Sequence, residues 1–405
     1  MILILFIRII FCYKPIINYM TAIKTCIIGL GYRGRRLLNL LSSIDDFDVV
    51  SVSDPCIDED IKMNYPSFSD GKEDYRNMIL QYSPDLVIIA SPWEYHVEQA
   101  MFAVLNGCHV ALEIKGGLYA DEYLPLLALA DKKKRNIYPL ENTVFMREHM
   151  SMYNLINSGL LGDIVAVKGG YRHDIRKLLI NEKGEIGENS GARAAWRSKF
   201  YLKENGDIYP THGLAPICLF SGIGRTDKIT ELVSFASAAH GITAYMSHCG
   251  GNTNPTISMG DVIVTQMLTE KGTLVTLTHD TTLPRPRSLD IEVQGSKGIW
   301  RGEFRKIYIE NISPYENWEE DGKYIDDFEH EFWKKWGEDA LRIDEHHKGM
   351  DYIMLKALSQ DMKGLEKYPV DLYDLALWTS VTPLSKLSIM EKRVINLNPP
   401  ASFEI

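Results

Sequence analysis

Tyr209-Pro210-Thr211-His212 sets a phenol and an imidazole three positions apart, both able to carry a proton. Imidazole titrates near neutral pH, so such a histidine can take a proton from a hydroxyl and return it. Far upstream, Gly29-x-Gly31-x-x-Gly34 has the spacing of a turn that lets a pyrophosphate approach the backbone. Together they point to a histidine and a tyrosine presented to a nicotinamide dinucleotide, with a sugar hydroxyl as the third party.

Elements must exist to carry both. Lys24 to Ile28 reads as a short apolar strand, the glycine turn follows at once, and Arg35 to Leu41 reads as a helix. Next comes the strand Asp48–Ser53, ending in Asp54, twenty residues after Gly34. A carboxylate at that distance suits a ribose diol and repels a 2′-phosphate, so NAD is expected rather than NADP. Strands at 85–90, 109–113 and 136–140 alternate with helices at 94–105 and 120–135. That alternation implies a doubly wound parallel sheet, whose ligands bind beyond the carboxyl ends of the strands. Those ends carry Ser91 to His96, Glu113-Ile114-Lys115 and Glu141-Asn142.

From about Met150 the pattern changes. A helix at 150–158 precedes strands at 163–171, 261–268, 273–279 and 290–293, and helices return at 326–340, 350–365 and 372–379. The expectation is an α/β chain: a nucleotide domain over 21–149, then an α+β domain over 150–405 with a mostly antiparallel open sheet and C-terminal helices. The stretch 191–205 reads as a loop over the site.

At 405 residues the chain fits two domains, and 45% apolar with 24% charged residues is ordinary globular composition. A net charge of −10 argues against nucleic acid as a partner. The six cysteines show no metal spacing and read as reduced, Cys26 and Cys108 as core residues. Residues 1–20 are apolar, with Arg8 inside the run, and admit three readings: a degenerate export signal, an anchor, or an extension upstream of a start at Met20. The last is preferred, which leaves the compartment open between cytoplasm and periplasm and requires no membrane partner. Trp333 and Trp336 read as core or subunit contacts, so a homo-oligomer stays among the expectations. His346 and His347, adjacent on a helix, would point about 100° apart and could not share a metal, so none is expected.

Past Met20 the chain resembles the Gfo/Idh/MocA group of NAD(P)-dependent oxidoreductases, whose N-terminal domain is a Rossmann fold. More specifically it resembles glycoside hydrolase family 109, the NAD-dependent α-N-acetylgalactosaminidases. The residues that carry this are Ser91-Pro92-Trp93-Glu94-Tyr95-His96, Leu140-Glu141-Asn142, Tyr171 to Arg176, Trp196-Arg197, Tyr209 to Leu214, His279 to Thr282 with Pro284-Arg285-Pro286, and Gly349 to Tyr352. The resemblance implies cofactor contacts at Gly29, Gly31, Tyr32, Arg33, Gly34, Asp54, Trp93, Glu94, Tyr95, His96, Glu113, Ile114, Asn142 and Tyr209. It implies a sugar site lined by Tyr171, Arg197, Tyr209, Pro210, Thr211 and His212. Two departures stand out. Lys115 is displaced by one position from the lysine usual in the wider group, and Arg287 stands where the family tends to have a tyrosine that contacts the sugar.

The implied activity is glycoside cleavage through oxidation, elimination, addition and reduction, with NAD recycled and no net redox. His212 is the expected base for the carbon 3 hydroxyl, and Tyr171 the base for the proton on carbon 2. Such a tyrosine needs nearby cations to ease its ionisation, and Arg172, Arg176 and Arg197 are candidates. His173 reads only as a brace for the loop, and His96 as either a packing residue or a cofactor contact. The alternative on the same scaffold is an NAD-dependent sugar dehydrogenase; a non-catalytic sugar sensor suits the Tyr-x-x-His pair poorly.

Overall fold

A computed structural model of the chain describes residues 22–117, 120–251 and 256–397, so the readings made for residues 1–20 lie outside the described residues. Two compact units divide it. Of the described residues, one holds 22–147 together with His330–Thr379; the other holds Glu148–Glu329 and residues 380–397.

The first unit is a six-stranded parallel sheet in the order β3-β2-β1-β4-β5-β6. Its strands are β1 Ile23–Ile28, β2 Phe47–Ser53, β3 Ser67–Phe68, β4 Leu86–Ile89, β5 His109–Leu112 and β6 Ile137–Pro139. Parallel strands are covered on both faces by crossover helices, and β4 is accordingly buried at every residue. The order runs outward from β1 to β3, then resumes beside β1 with β4. That reversal leaves a crevice past the carboxyl ends of β1 and β4, where such sheets bind ligands.

Helices Glu331–Ile343 and Met350–Met362 also belong to this unit, whereas the expected boundary assigned everything from 150 on to the second domain. Buried aromatics explain the difference. Trp333 donates from its indole N–H to the Phe145 carbonyl at 3.0 Å, and Tyr368 donates its hydroxyl to the Pro139 carbonyl at 2.8 Å. Trp336 stacks on Phe332. Both tryptophans are thus core residues.

The second unit is a nine-stranded sheet, β14-β13-β12-β11-β7-β10-β9-β8-β15. It is made of β7 Ile164–Arg172, β8 Ile229–Ala236, β9 Val262–Thr269, β10 Leu274–Asp280, β11 Glu292–Gly295, β12 Gly298–Arg301, β13 Lys306–Ile309, β14 Glu319–Glu320 and β15 Ile395–Asn396. Among the described strands of this sheet only β7 and β10 pair in parallel; the sheet is otherwise antiparallel, as expected. The stretch 191–205 is not the expected loop. It contains the helix Ala195–Lys203, held down by buried Ser198 and Tyr201, whose hydroxyl meets that of Thr281 at 2.7 Å. Among the described residues no helix is long and apolar enough to cross a membrane.

Candidate active site

The first cluster of interest lies at the crevice between β1 and β4. Gly29 has φ +88°, and a Cβ there would lie 2.5 Å from the Ser91 backbone nitrogen. A Cβ on Gly34 would lie 1.8 Å from the Gly29 carbonyl oxygen, so that glycine is demanded by helix-on-strand contact. Gly31 differs, because a Cβ there would meet nothing within 4 Å. None of the described residues requires glycine at that position, whereas a pyrophosphate approaching the backbone would. Asp54 accepts from the Leu30 N–H at 2.6 Å and the Cys56 N–H at 2.8 Å, which ties the end of β2 to the glycine turn. Its oxygens retain lone pairs for further donors.

Around this crevice the expected cofactor residues separate into roles. Tyr32 is exposed, with its hydroxyl 3.2 Å from His346 Nε2. Trp93 is buried, its indole donating to the Ile114 carbonyl at 3.1 Å, while Glu94 is exposed and Tyr95 half-buried beneath the Lys72 ammonium. His96 is buried with Nε2 2.6 Å from the Ser91 carbonyl oxygen. Burial pushes its imidazole down to about 4 despite that bond, so it is a neutral packing residue that shapes the Ser91 turn. Asn142 is buried, donates to Asp351 at 2.8 Å and leaves its side-chain carbonyl oxygen without a partner. An orphaned acceptor and an open glycine cradle both fit a ligand rich in donors and phosphate.

Arg33 does not project freely toward that crevice. Its guanidinium is held by Glu113 and, bidentately, by Asp351, which also takes Arg36 at 3.3 Å and His347 at 2.6 Å. Asp344 pairs with Arg36 as well. Asp344, His347 and Asp351 offer ligand atoms within 4.8 Å of one another, the compactness of a cation site. The two arginines already supply the positive charge those carboxylates need. His346 and His347 stack with centroids 5.2 Å apart, contrary to the divergence expected of a regular helix, because they sit in a 3-10 turn and turn to different partners.

The second cluster belongs to the second unit. Tyr209 and His212 flank Pro210, which caps the helix Thr211–Ser221. That helix lies directly on β7, since a Cβ on Gly213 would fall 2.3 Å from the Gly170 nitrogen and one on Gly169 2.5 Å from the Gly213 carbonyl. Only glycines permit this approach. It brings the His212 ring to 5.4 Å and the Tyr209 ring to 4.8 Å from the Tyr171 ring, centroid to centroid. The Tyr209 hydroxyl is 3.5 Å from His212 Nε2, and the Arg197 guanidinium lies over the Tyr209 ring at 5.4 Å. Asp207 accepts from the Tyr209 N–H at 3.0 Å and lies 3.3 Å from His279 Nδ1, fixing the turn before the helix. Pro210 and Thr211 are buried and build the helix start rather than facing outward.

Two expectations about this cluster change. His173 is not merely a brace: its Nδ1 lies 3.1 Å from the Tyr171 hydroxyl. His173 directly follows β7, and strand alternation carried one residue past its end would put it on the Tyr171 side, so that contact was available to sequence reasoning. Of the three cations assigned to Tyr171, two are engaged elsewhere. Arg172 pairs with Asp280 and Asp290, and Arg176 with Asp174. Arg197 remains beside the cluster.

Comparison with known proteins bears on what these clusters are for. Residues 23–136 match the model of the oxidoreductase family with an NAD-binding Rossmann fold, and residues 145–399 match the C-terminal domain of glycosyl hydrolase 109. The chain belongs to glycosyl hydrolase family 109. A family 109 protein of Stenotrophomonas maltophilia is 33% identical over 91% of this chain and 86% of its own length. An α-N-acetylgalactosaminidase of Tannerella forsythia is 30% identical over 89% and 82%. In fold the chain is similar to an inositol dehydrogenase homologue of Azotobacter vinelandii complexed with NADH and myo-inositol (TM-score 0.68, 16% identity, 93% and 98% covered). It is likewise similar to scyllo-inositol dehydrogenase of Lactobacillus casei with bound NAD(H) and scyllo-inositol (0.64, 15%, 93% and 99%).

For this family 109 member, Gly31 and Gly34 of the glycine turn make separable expectations. Gly31→Val fills open space at ordinary backbone angles (φ −63°), so the thermal melt should stay unchanged while NAD affinity falls by more than about tenfold. Gly34→Ala should instead lower stability, by about 1–3 kcal/mol for an overpacked contact. Calorimetric titration beside thermal denaturation reads both, and wild-type NAD affinity in Gly31→Val would remove the pyrophosphate from that position.

Proposed function

We propose that the chain is an NAD-dependent glycosidase acting on an N-acetylgalactosaminide-like sugar through an oxidation–elimination–addition–reduction cycle. The observation that carries this reading is the Tyr171 cluster, in which the hydroxyl meets His173 and the ring packs against His212 and Tyr209. Direct displacement at a glycosidic carbon commonly uses two carboxylates flanking the bond. Here the neighbouring carboxylates are committed: Asp174 to Arg176, Asp280 to Arg172 and Arg285, Asp207 to the Tyr209 backbone. Proton carriers of the phenol and imidazole type suit a different route.

Bound NAD, held at the β1–β4 crevice by the Gly31 turn with Asp54 and Asn142, would supply reversible hydride acceptance from a sugar carbinol carbon. His212 accepts the proton of the carbon 3 hydroxyl. The resulting ketone acidifies the proton on carbon 2, which Tyr171 removes; His173 holds the phenol oriented and can take over the hydroxyl proton. The C1–O bond to the aglycone then breaks with its electron pair on the aglycone oxygen, which takes a proton from water. The remaining hydroxide adds at carbon 1, Tyr171 returns its proton to carbon 2, and His212 returns a proton to the carbon 3 oxygen as the hydride held by the bound cofactor would return to carbon 3.

The proton on carbon 2 separates this route from displacement, which leaves it untouched. In heavy water the released sugar is expected to carry deuterium at carbon 2, read by mass spectrometry or NMR, with Tyr171→Phe slowing exchange and cleavage together. Cleavage without deuterium would exclude the route. Stoichiometric accumulation of reduced cofactor, without aglycone release, would identify a net sugar dehydrogenase instead.

A further inference from the structure

Arg287 lies near the residues around Tyr171. Arg172 and Ser288 form an antiparallel bridge, exchanging hydrogen bonds of 3.0 and 2.8 Å. His173 follows Arg172 and Arg287 precedes Ser288, so this single bridge brings the two residues near each other, and the Arg287 charge acts on the His173 imidazole. His173 in turn touches the Tyr171 hydroxyl. Pro286 restrains the backbone entering Arg287, and the Ser288 hydroxyl accepts the Asp290 N–H at 2.9 Å, so the segment is anchored on both sides.

The charges on this segment are unevenly matched. Arg172 has Asp280 and Asp290, Arg285 has Asp280 at 2.7 Å, and Arg176 has Asp174 at 2.7 Å. Arg287 is exposed and, among the described residues, forms no ion pair or hydrogen bond. His173 senses this: burial first, then the charge of Arg287, with His212 and Arg197 behind it, lower its proton affinity, while the Asp174 charge opposes them. A guanidinium without a partner, beside further cations, is the arrangement that binds a carboxylate or sulfate through parallel N–H bonds.

We propose that the Tyr171 face takes a glycoside bearing an anionic substituent, a carboxylate or a sulfate ester, with Arg287 as the residue that selects it. The inference rests on the Tyr171 face being the sugar site. It requires a substituent beyond the ring positions at which bonds are made and broken, and adds no chemical step to the cycle.

The test uses the NAD-loaded protein and matched nitrophenyl galactosides: neutral, 6-sulfated, and oxidised at carbon 6 to the galacturonide. One of the two anionic substrates is expected to exceed the neutral one in kcat/KM by about tenfold, mostly through KM, the value of one charge-assisted pair. Which one it is distinguishes sulfate from carboxylate. Arg287→Ala should bring that ratio to about one, Arg287→Lys should keep part of it, and Arg287→Glu should invert it. Neutral glycosides cut as well as or better than both anionic ones, or a preference that survives Arg287→Ala, would overturn the proposal while leaving the glycosidase intact. Ligand-observed NMR with free galactose, galactose 6-sulfate and galacturonate covers the opposite case. Arg287-dependent binding of an anionic sugar without cleavage of any glycoside would uphold the inference and sink the glycosidase reading; no such preference in binding or cleavage would sink the inference.

Discussion

His212→Ala is expected to cut glycoside turnover by about a hundred- to ten-thousand-fold, the usual contribution of a positioned acid or base. The imidazole is half-buried at the first turn of its helix, with its ring against both Tyr171 and Tyr209. The neighbouring glycine contact on β7 does not depend on it, so the fold should survive the substitution. The comparison is kcat and KM for an aryl glycoside together with a thermal melt. Turnover within a few-fold of wild type at an unchanged melt would remove His212 from the chemistry. Loss of turnover with retained NAD binding would place the defect at the sugar.

Asp351→Ala should have the largest effect on stability. Its carboxylate is fully buried beneath Arg33, Arg36, Asn142 and His347, and removing one member of such a network typically costs about 3–5 kcal/mol. Burial alone would raise its proton affinity, but the Arg33 charge and the His347 hydrogen bond more than reverse this and hold it well below the usual carboxylate range. A folded value depressed below the unfolded one, near 3.9, gives a contribution that is complete above that pH and lost as pH falls toward the folded value. Asp344 works in the opposite sense: burial and the Asp351 charge raise its value, so acidification relieves part of its cost. Urea unfolding of wild type and variant should therefore show a gap that is constant from pH 7 to 5 and narrows below about 4. A gap that widens with acid would mean that Asp351 is not the charged partner in this network.

The glycine turn, the strands around it and Asp54 were legible because their signals are local: glycine spacing, short apolar runs and one carboxylate at a fixed distance. The Tyr171–His212 pairing was legible only through family resemblance, since nothing in the spacing of residues 171 and 212 places a helix on β7. Asp351 was named for its resemblance to the family and not for what it does. Its partnership with Arg33 joins residues 318 positions apart, and no periodicity reports such a contact. Helix 195–203 escaped because glycine and charge just before it dominate the composition of the window, while its anchors are one tyrosine and one serine. The placement of residues 330–379 escaped for a related reason: an amphipathic helix shows which side it buries and not which sheet receives it.

The main-chain contact between Gly213 and β7 has a consequence for how such an enzyme can change over time. The interval between His212 and Tyr171 is gauged by one polypeptide backbone resting on another, as two rulers laid edge to edge keep their marks aligned. Apolar residues deeper in the sheet can then be exchanged, and the protein made sturdier or more fragile, without moving the two rings relative to each other. A chain that keeps Gly169, Gly170 and Gly213 can be altered elsewhere in its interior while the two rings hold their interval.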